Sequence, residues 1–155
     1  MFVTAFLLHF YSGISKIYQP ILLMEAIRKA GAIIIRDKKS LIVRPKGKAH
    51  FLTPGGKYEA GETAEDCLKR ELQEELRVEL ISCTHYKDYY FEKAQGKEVP
   101  LELDLYRVEI KGEPKASSEI EEMQWMSKED FENETFNVAD SFYTHVPDLI
   151  KDGLI

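Results

Sequence analysis

Three glutamates, Glu71, Glu74 and Glu75, stand at i, i+3 and i+4 in one stretch of this chain. On a helix they share a face. Thr63 to Leu76 reads as that helix, with Thr63 as N-cap and Asp66 three residues on to complete the cap. At ~100° per residue, Glu65, Asp66, Lys69, Arg70 and Gln73 fall on one polar arc. Ala64, Cys67, Leu68, Leu72 and Leu76 fall on the other, and Glu71 and Glu75 land in the middle of that apolar arc, with Glu74 at its edge. The placement is unfavourable twice over. Like charges at this spacing destabilise a helix by about 0.2–0.5 kcal/mol per pair, and turning carboxylates toward a core costs more unless something compensates. No run of Lys or Arg shares the arc. A hard divalent cation meets the requirement, because Mg²⁺ takes carboxylate oxygens and keeps waters and phosphates as its other ligands. Most glutamate clusters are solvated acidic faces, but here the solvated arc is the other one.

Just upstream lies Thr53-Pro-Gly-Gly56. Two glycines before an acidic helix let the backbone approach a ligand closely and offer a carbonyl to a metal. Taken alone, the pair is no more than a turn.

These residues need a scaffold, and the sequence outlines one. Ala32–Ile35 reads as a buried strand and Leu41–Val43 as its neighbour across a turn at Asp37–Ser40. Val78–Phe91 and Val99–Ile110 are long strand candidates separated by a polar turn at Ala94–Lys97, and Ile120–Met126 is another, around Trp125. Asn137 is a candidate cap for a helix with Val138, Phe142 and Val146 on its apolar face, Pro147 as a break or restart, and Gly153 as a late stop. Strands with one central and one terminal helix predict an α/β fold, a sandwich with a mixed β-sheet. Residues 25–155 form the expected domain. Residues 1–24 are an accessory segment or an upstream extension, since no Lys or Arg precedes the apolar start and Ser12, Gly13, Ser15 and Lys16 interrupt it.

Together the site residues resemble the Nudix box, G-x5-E-x7-R-E-U-x-E-E-x-G-U, with U aliphatic. Here it runs Gly56, Glu62, Arg70, Glu71, Leu72, Glu74, Glu75 and Val78. Six fixed positions of this kind match by chance on the order of once in 10⁷ starting points. Arg77 replaces the box's second glycine, a position where a left-handed backbone ends the helix. The resemblance implies a Nudix-like α/β/α sandwich. It implies Mg²⁺-dependent hydrolysis of a nucleoside diphosphate linked to a group X, with Mn²⁺ as a substitute metal. By position it makes Glu71, Glu74, Glu75 and the Gly56 carbonyl metal ligands, Arg70 an orienting group for the glutamates, and Glu62 a support for the box. The general base is less fixed in this family. Glu119 is favoured from the acidic run Glu119 to Glu122, with a solvated strand edge as the competing reading.

The substrate is less legible. The proline, tyrosine and coenzyme A signatures of several subfamilies are missing, which by elimination favours a nucleoside triphosphate, normal or oxidised. The alternatives are an ADP-ribose or nucleotide-sugar pyrophosphatase, a non-catalytic nucleotide-binding module of the same fold, and an isoprenoid-diphosphate isomerase using Cys67. Tyr86, Tyr89, Tyr90 and Phe91 are candidates for a base pocket, although sheet packing is the more ordinary role for most of them, as core packing is for Trp125. The formal net charge of −6 disfavours a polynucleotide partner. Two cysteines, Cys67 and Cys83, make no disulfide framework, and a reducing, cytoplasmic setting is expected, with no membrane anchor. Dimers are common in the family, so a homodimer is one candidate assembly.

Overall fold

The computed structural model describes residues 25–155, and the expectations for residues 1–24 lie outside them. The first apolar run is buried on both faces. Strand β1 spans Ile27–Ile33. Ala30, Ala32 and the following Ile34 join one core cluster, and Ile33 joins the other. Successive strand side chains point to opposite faces, so an unbroken apolar run suits a strand covered on both.

The chain then changes sheet. Strand β2 (Ile35–Arg36) turns over Asp37 and Lys38 into β3 (Lys39–Pro45). Both turn residues have positive φ, 50° and 60°, the geometry that matches a two-residue hairpin to strand twist. The expected strand pair is therefore divided. Ile35 and Arg36 pair with β3, while β1 belongs to a different sheet. That sheet has the order β4-β1-β6-β5, with β4 at Gly55–Lys57, β5 at Glu79–Phe91 and β6 at Leu101–Lys111. It is mixed, because β1 runs parallel to β6 and antiparallel to β4. The second sheet, β2-β3-β7, is antiparallel, with β7 at Ile120–Ser127.

One helix covers each face. Helix α1 (Ala64–Leu76) lays Cys67, Leu68, Leu72 and Leu76, all fully buried, against Ala30, Ala32, Leu41 and Val43. Its three buried leucines contribute roughly 5–9 kcal/mol by burial, enough to hold α1 against the strain of its misplaced carboxylates. Helix α2 (Lys128–Glu132) is a single capped turn after β7. Helix α3 (Phe142–Lys151) packs Phe142, Val146 and Leu149 on the opposite face, against Ile33, Ile42, Leu103 and Leu105. The architecture is the expected α/β/α sandwich with a mixed sheet.

The C-terminal helix differs from its sequence reading. It starts at Phe142, not after Asn137, because residues 137–139 are held by Phe51. Phe51 N–H donates to the Asn137 carbonyl, and Ala139 N–H donates to the Phe51 carbonyl. The Asn137 amide donates to the Ala49 carbonyl and caps nothing. Pro147 sits inside α3 without ending it. Its missing N–H would have bonded Tyr143, which lies on the exposed face.

Candidate active site

Helix α1 is fixed at both ends, and that fixes its carboxylates. At the start, Thr63 and Asp66 form a reciprocal capping box. At the end, Arg77 adopts the left-handed conformation, φ 56° and ψ 36°. Arg77 N–H donates to the Gln73 carbonyl and Val78 N–H reaches the Leu72 carbonyl, the glycine-type stop of a helix, achieved here with an arginine. The arginine side chain donates from Nε to Ser117 Oγ at 2.8 Å. Ser117 N–H and Lys115 N–H then cap the free carbonyls of Glu75 and Leu76 at 2.9 Å each. This pins the segment before β7 onto the end of α1 and delivers Glu119 to the edge of the site.

The Gly55-Gly56 backbone approaches α1 from strand β4. Gly55 has φ +121°, and a Cβ there would lie 2.2 Å from the Ala30 carbonyl oxygen. A Cβ on Gly56 would lie 2.0 Å from Glu71 Oε1. Only glycine lets the strand lie this close to the carboxylate.

Glu75 is 5% exposed, and its Oε2 accepts from Gly55 N–H at 2.9 Å. Burial pushes its carboxyl up to about 8. The charges of Glu71 and Glu119 add to the shift, while Gly55 N–H and Lys29 oppose it. Glu71 is mostly covered and accepts from Arg70 Nη1 at 2.7 Å. Arg70 also grips both oxygens of Glu62, at 2.7 and 2.9 Å, and the Lys57 carbonyl at 3.1 Å. Those bonds hold the Glu62 carboxyl down to about 2. Glu74 and Glu119 are exposed.

The structure thus brings Glu71, Glu75, Gly56 and Arg70 together and leaves Glu74 and Glu119 at the margin. Among the described residues, no three Asp, Glu, His or Cys groups converge on one point. Arg70 draws Glu71 one way, and Gly55 N–H draws Glu75 another. The donors nonetheless fit a hard divalent ion. They are all oxygen, one is buried without a compensating cation in contact, and the Gly56 backbone is pressed against another. The Cys67 thiol faces the Gly56 and Lys57 carbonyls at 3.7 and 3.5 Å, and burial pushes it up to about 11. It is a protonated core thiol and not an activated nucleophile.

Glu75, Gly55 and Thr53 line a cleft of about 60 Å³. Behind Thr53 lies His145, whose Nε2 is 3.5 Å from Thr53 Oγ1 and whose Nδ1 has no partner among the described residues. Burial depresses His145 to about 4. The cleft runs into a larger pocket of about 220 Å³, with Lys29, Leu52, Leu101 and Ser141 lining both. Sequence reasoning missed this lysine-bearing side of the site, because its residues lie far apart in the chain. Of the aromatic candidates, Phe91 lines the larger pocket, Tyr89 is in the core, Tyr90 is exposed, and Tyr86 donates to Asp152. Trp125 packs against the α1-side core under the Arg36 guanidinium.

A NUDIX domain family model matches residues 26–146. The chain is 49% identical over 39 residues to an 8-oxo-dGTP diphosphatase of Haemophilus influenzae, a match covering 25% of this chain and 29% of that protein. It is 24% identical over 129 residues to YvcI, an uncharacterized Nudix hydrolase of Bacillus subtilis, covering 81% of this chain and 80% of that one. In structure it resembles the MutT protein of Methanosarcina mazei, with TM-score 0.72 and 19% identity over 84% of this chain and 97% of that one. Among the described residues no helix is long and apolar enough to cross a membrane. The family match spans both sheets and the carboxylate helix, and the chain belongs to the NUDIX domain family as a hydrolase of diphosphate bonds.

Proposed function

We propose that this chain hydrolyses a nucleoside triphosphate, normal or oxidised, to a monophosphate and pyrophosphate, with Mg²⁺ or Mn²⁺ held by Glu71, Glu74, Glu75 and the Gly56 carbonyl. The observation that carries the reading is the pair of covered carboxylates, Glu71 and Glu75, folded around the Gly55-Gly56 backbone. A bound divalent ion supplies Lewis-acid stabilisation of the phosphate charge and lowers the pKa of water. The chain's own residues do the rest. Arg70 holds Glu71 in place through a fork anchored on Glu62. Gly55 N–H orients Glu75. Glu119, brought to the rim by the capped segment, takes the proton from the attacking water. The short similarity to the Haemophilus diphosphatase supports a triphosphate, and two unpaired thiols fit a reducing, cytoplasmic setting.

The test is a panel of nucleoside triphosphates, ADP-ribose and nucleotide sugars, assayed for phosphate and pyrophosphate with Mg²⁺, with Mn²⁺ and with excess chelator. We expect pyrophosphate from a triphosphate, a strict metal requirement, and turnover rising toward alkaline pH. Full turnover in chelator overturns the metal assignment, and turnover of ADP-ribose alone overturns the triphosphate.

A further inference from the structure

The pocket beyond the carboxylate cleft opposes the charge of the whole chain. The protein carries 27 acidic and 21 basic residues. Yet Lys29, Lys48, Lys57, Lys93 and Lys97 line this one concavity, with Asp140 as its one carboxylate. The lysines come from β1, β4 and loops far apart in sequence, so no single solvated face explains them. Two of them are placed badly for stability. Lys29 and Lys57 are direct partners in the β1–β4 pairing, and like charges directly opposite each other destabilise a sheet. Lys29 is also half-buried, and burial together with Lys57 and Lys97 lowers its pKa, while the Glu75 and Glu71 carboxylates oppose the shift.

The chain offers little neutralisation. Lys93 pairs with Glu98. Among the described residues, Lys29, Lys48, Lys57 and Lys97 enter no salt bridge. Residues 1–24 contain no Asp or Glu, so they bring no carboxylate. A cluster of cations beside the carboxylate cleft calls for an anion from outside the chain. Lysines, as mobile point charges without a fixed fork, suit a flexible phosphate chain better than one rigid carboxylate. The lining also includes Ile27, Leu52, Phe91 and Leu101, an apolar surface that suits a ring.

We propose that this pocket selects substrates carrying phosphate beyond the diphosphate that is cut, with the extra phosphate held by Lys29, Lys48, Lys57 and Lys97 and the ring against its apolar lining. The inference rests on the hydrolase reading above and deepens it. A group X that is a neutral sugar leaves the lysines uncompensated and is disfavoured.

Inorganic tripolyphosphate in excess chelator tests the pocket without turnover. It should raise the melting temperature of the parent protein more than equimolar sulfate does, and the effect should shrink with added salt. The double variant Lys48→Gln, Lys97→Gln alters two exposed loop positions and should bind tripolyphosphate at least about tenfold more weakly. Its KM for a nucleoside triphosphate should rise by a similar factor, while kcat stays within a few-fold. Lys97→Gln alone gives the same comparison if the double variant folds poorly. Equal tripolyphosphate shifts in parent and variant overturn the proposal, as does an unchanged KM where turnover is present. If no nucleotide is cleaved, the hydrolase reading fails, and the binding comparison alone decides whether the pocket takes polyphosphate.

Discussion

Replacing Glu75 by Gln separates what this residue costs the fold from what it gives the site. The side chain is 5% exposed, and its carboxyl is pushed from 4.5 to about 8, chiefly by burial. A carboxyl whose folded pKa lies above its unfolded one stabilises the acid form. The contribution of Glu75 to stability is highest below pH 4.5, declines as pH rises, and levels off above about 8. At ~1.36 kcal/mol per pH unit, the full gap is an upper bound of roughly 4–5 kcal/mol. Gln recovers less, ~1–3 kcal/mol, because its amide also loses water and leaves its NH₂ to be satisfied. It keeps an oxygen for Gly55 N–H. In a domain of ~130 residues, each kcal/mol moves the melting temperature by about 3 °C. In chelator at pH 8, E75Q should therefore melt ~3–9 °C above the parent, and the difference should close toward pH 5. Added Mg²⁺ should raise the parent more than the variant. Turnover should fall by at least ~100-fold, the scale of losing a metal-supporting group. Melting curves from pH 5 to 8.5, with chelator and with Mg²⁺, alongside pyrophosphate release, give all four quantities. A variant that melts below the parent at pH 8 in chelator would show that the anion is a structural acceptor and refute the reasoning. Near-parent turnover would remove Glu75 from the ligand set.

Three further outcomes follow from other parts of the structure. Arg77→Gly relieves a left-handed arginine that costs ~1 kcal/mol and gives up one exposed bond to Ser117. Melting temperature should hold or rise and turnover should stay within a few-fold, whereas a large rate change would mean that Arg77 touches substrate. His145 is held neutral, with its pKa lowered from 6.5 to about 4 by burial, so its contribution is complete above pH 6.5 and lost as pH falls toward 4. His145→Gln should flatten the fall in melting temperature between pH 7 and 5, and an unchanged fall assigns acid sensitivity to other groups. Removing residues 1–23 should leave a folded, active chain, because β1 begins at Ile27 and the family match at residue 26. Circular dichroism with a turnover assay checks this, and a well-folded truncation without turnover would show that the first segment builds part of the site.

The carboxylate half of the site was legible because its signal is local. Helix α1 has a cap, a stop and a 3.6-residue period within one short stretch, and two glutamates, Glu71 and Glu75, break that period where a core residue belongs. Arg77 kept the left-handed stop without the glycine, since the Ser117 and Lys115 amides cap the same helix end. Distant partners erased other signals. Asn137 looked like a helix cap, but Phe51 holds the backbone on either side of Val138 in extended pairing. The passage from one sheet to the other at Ile34 left no mark, because the run Ala32 to Ile35 is apolar throughout. Lys29 and Lys57 become neighbours only through strand register.

That register also explains how one short strand serves two opposite electrostatic demands. In β4, Gly56 pairs with Ala30, which belongs to the α1-side core, and lies against Glu71. The next residue, Lys57, pairs with Lys29 and lines the lysine pocket. Adjacent strand residues point to opposite faces. A single step along β4 therefore passes from carboxylates that call for a cation to ammonium groups that call for an anion. Arg70 fastens the step, since its guanidinium donates to Glu71 on one side and to the Lys57 carbonyl on the other. Each like-charge cluster is unfavourable by itself, and Lys29, which lines the same cleft as Glu75, offsets only part of the carboxylate charge. On the proposed reading, a metal-bound polyphosphate would bring both missing charges at once, the cation to the Glu71–Glu75 side and the phosphate tail to the Lys29–Lys57 side. On the proposed reading, binding of either component alone is then weaker than binding of the pair, because each leaves one cluster uncompensated.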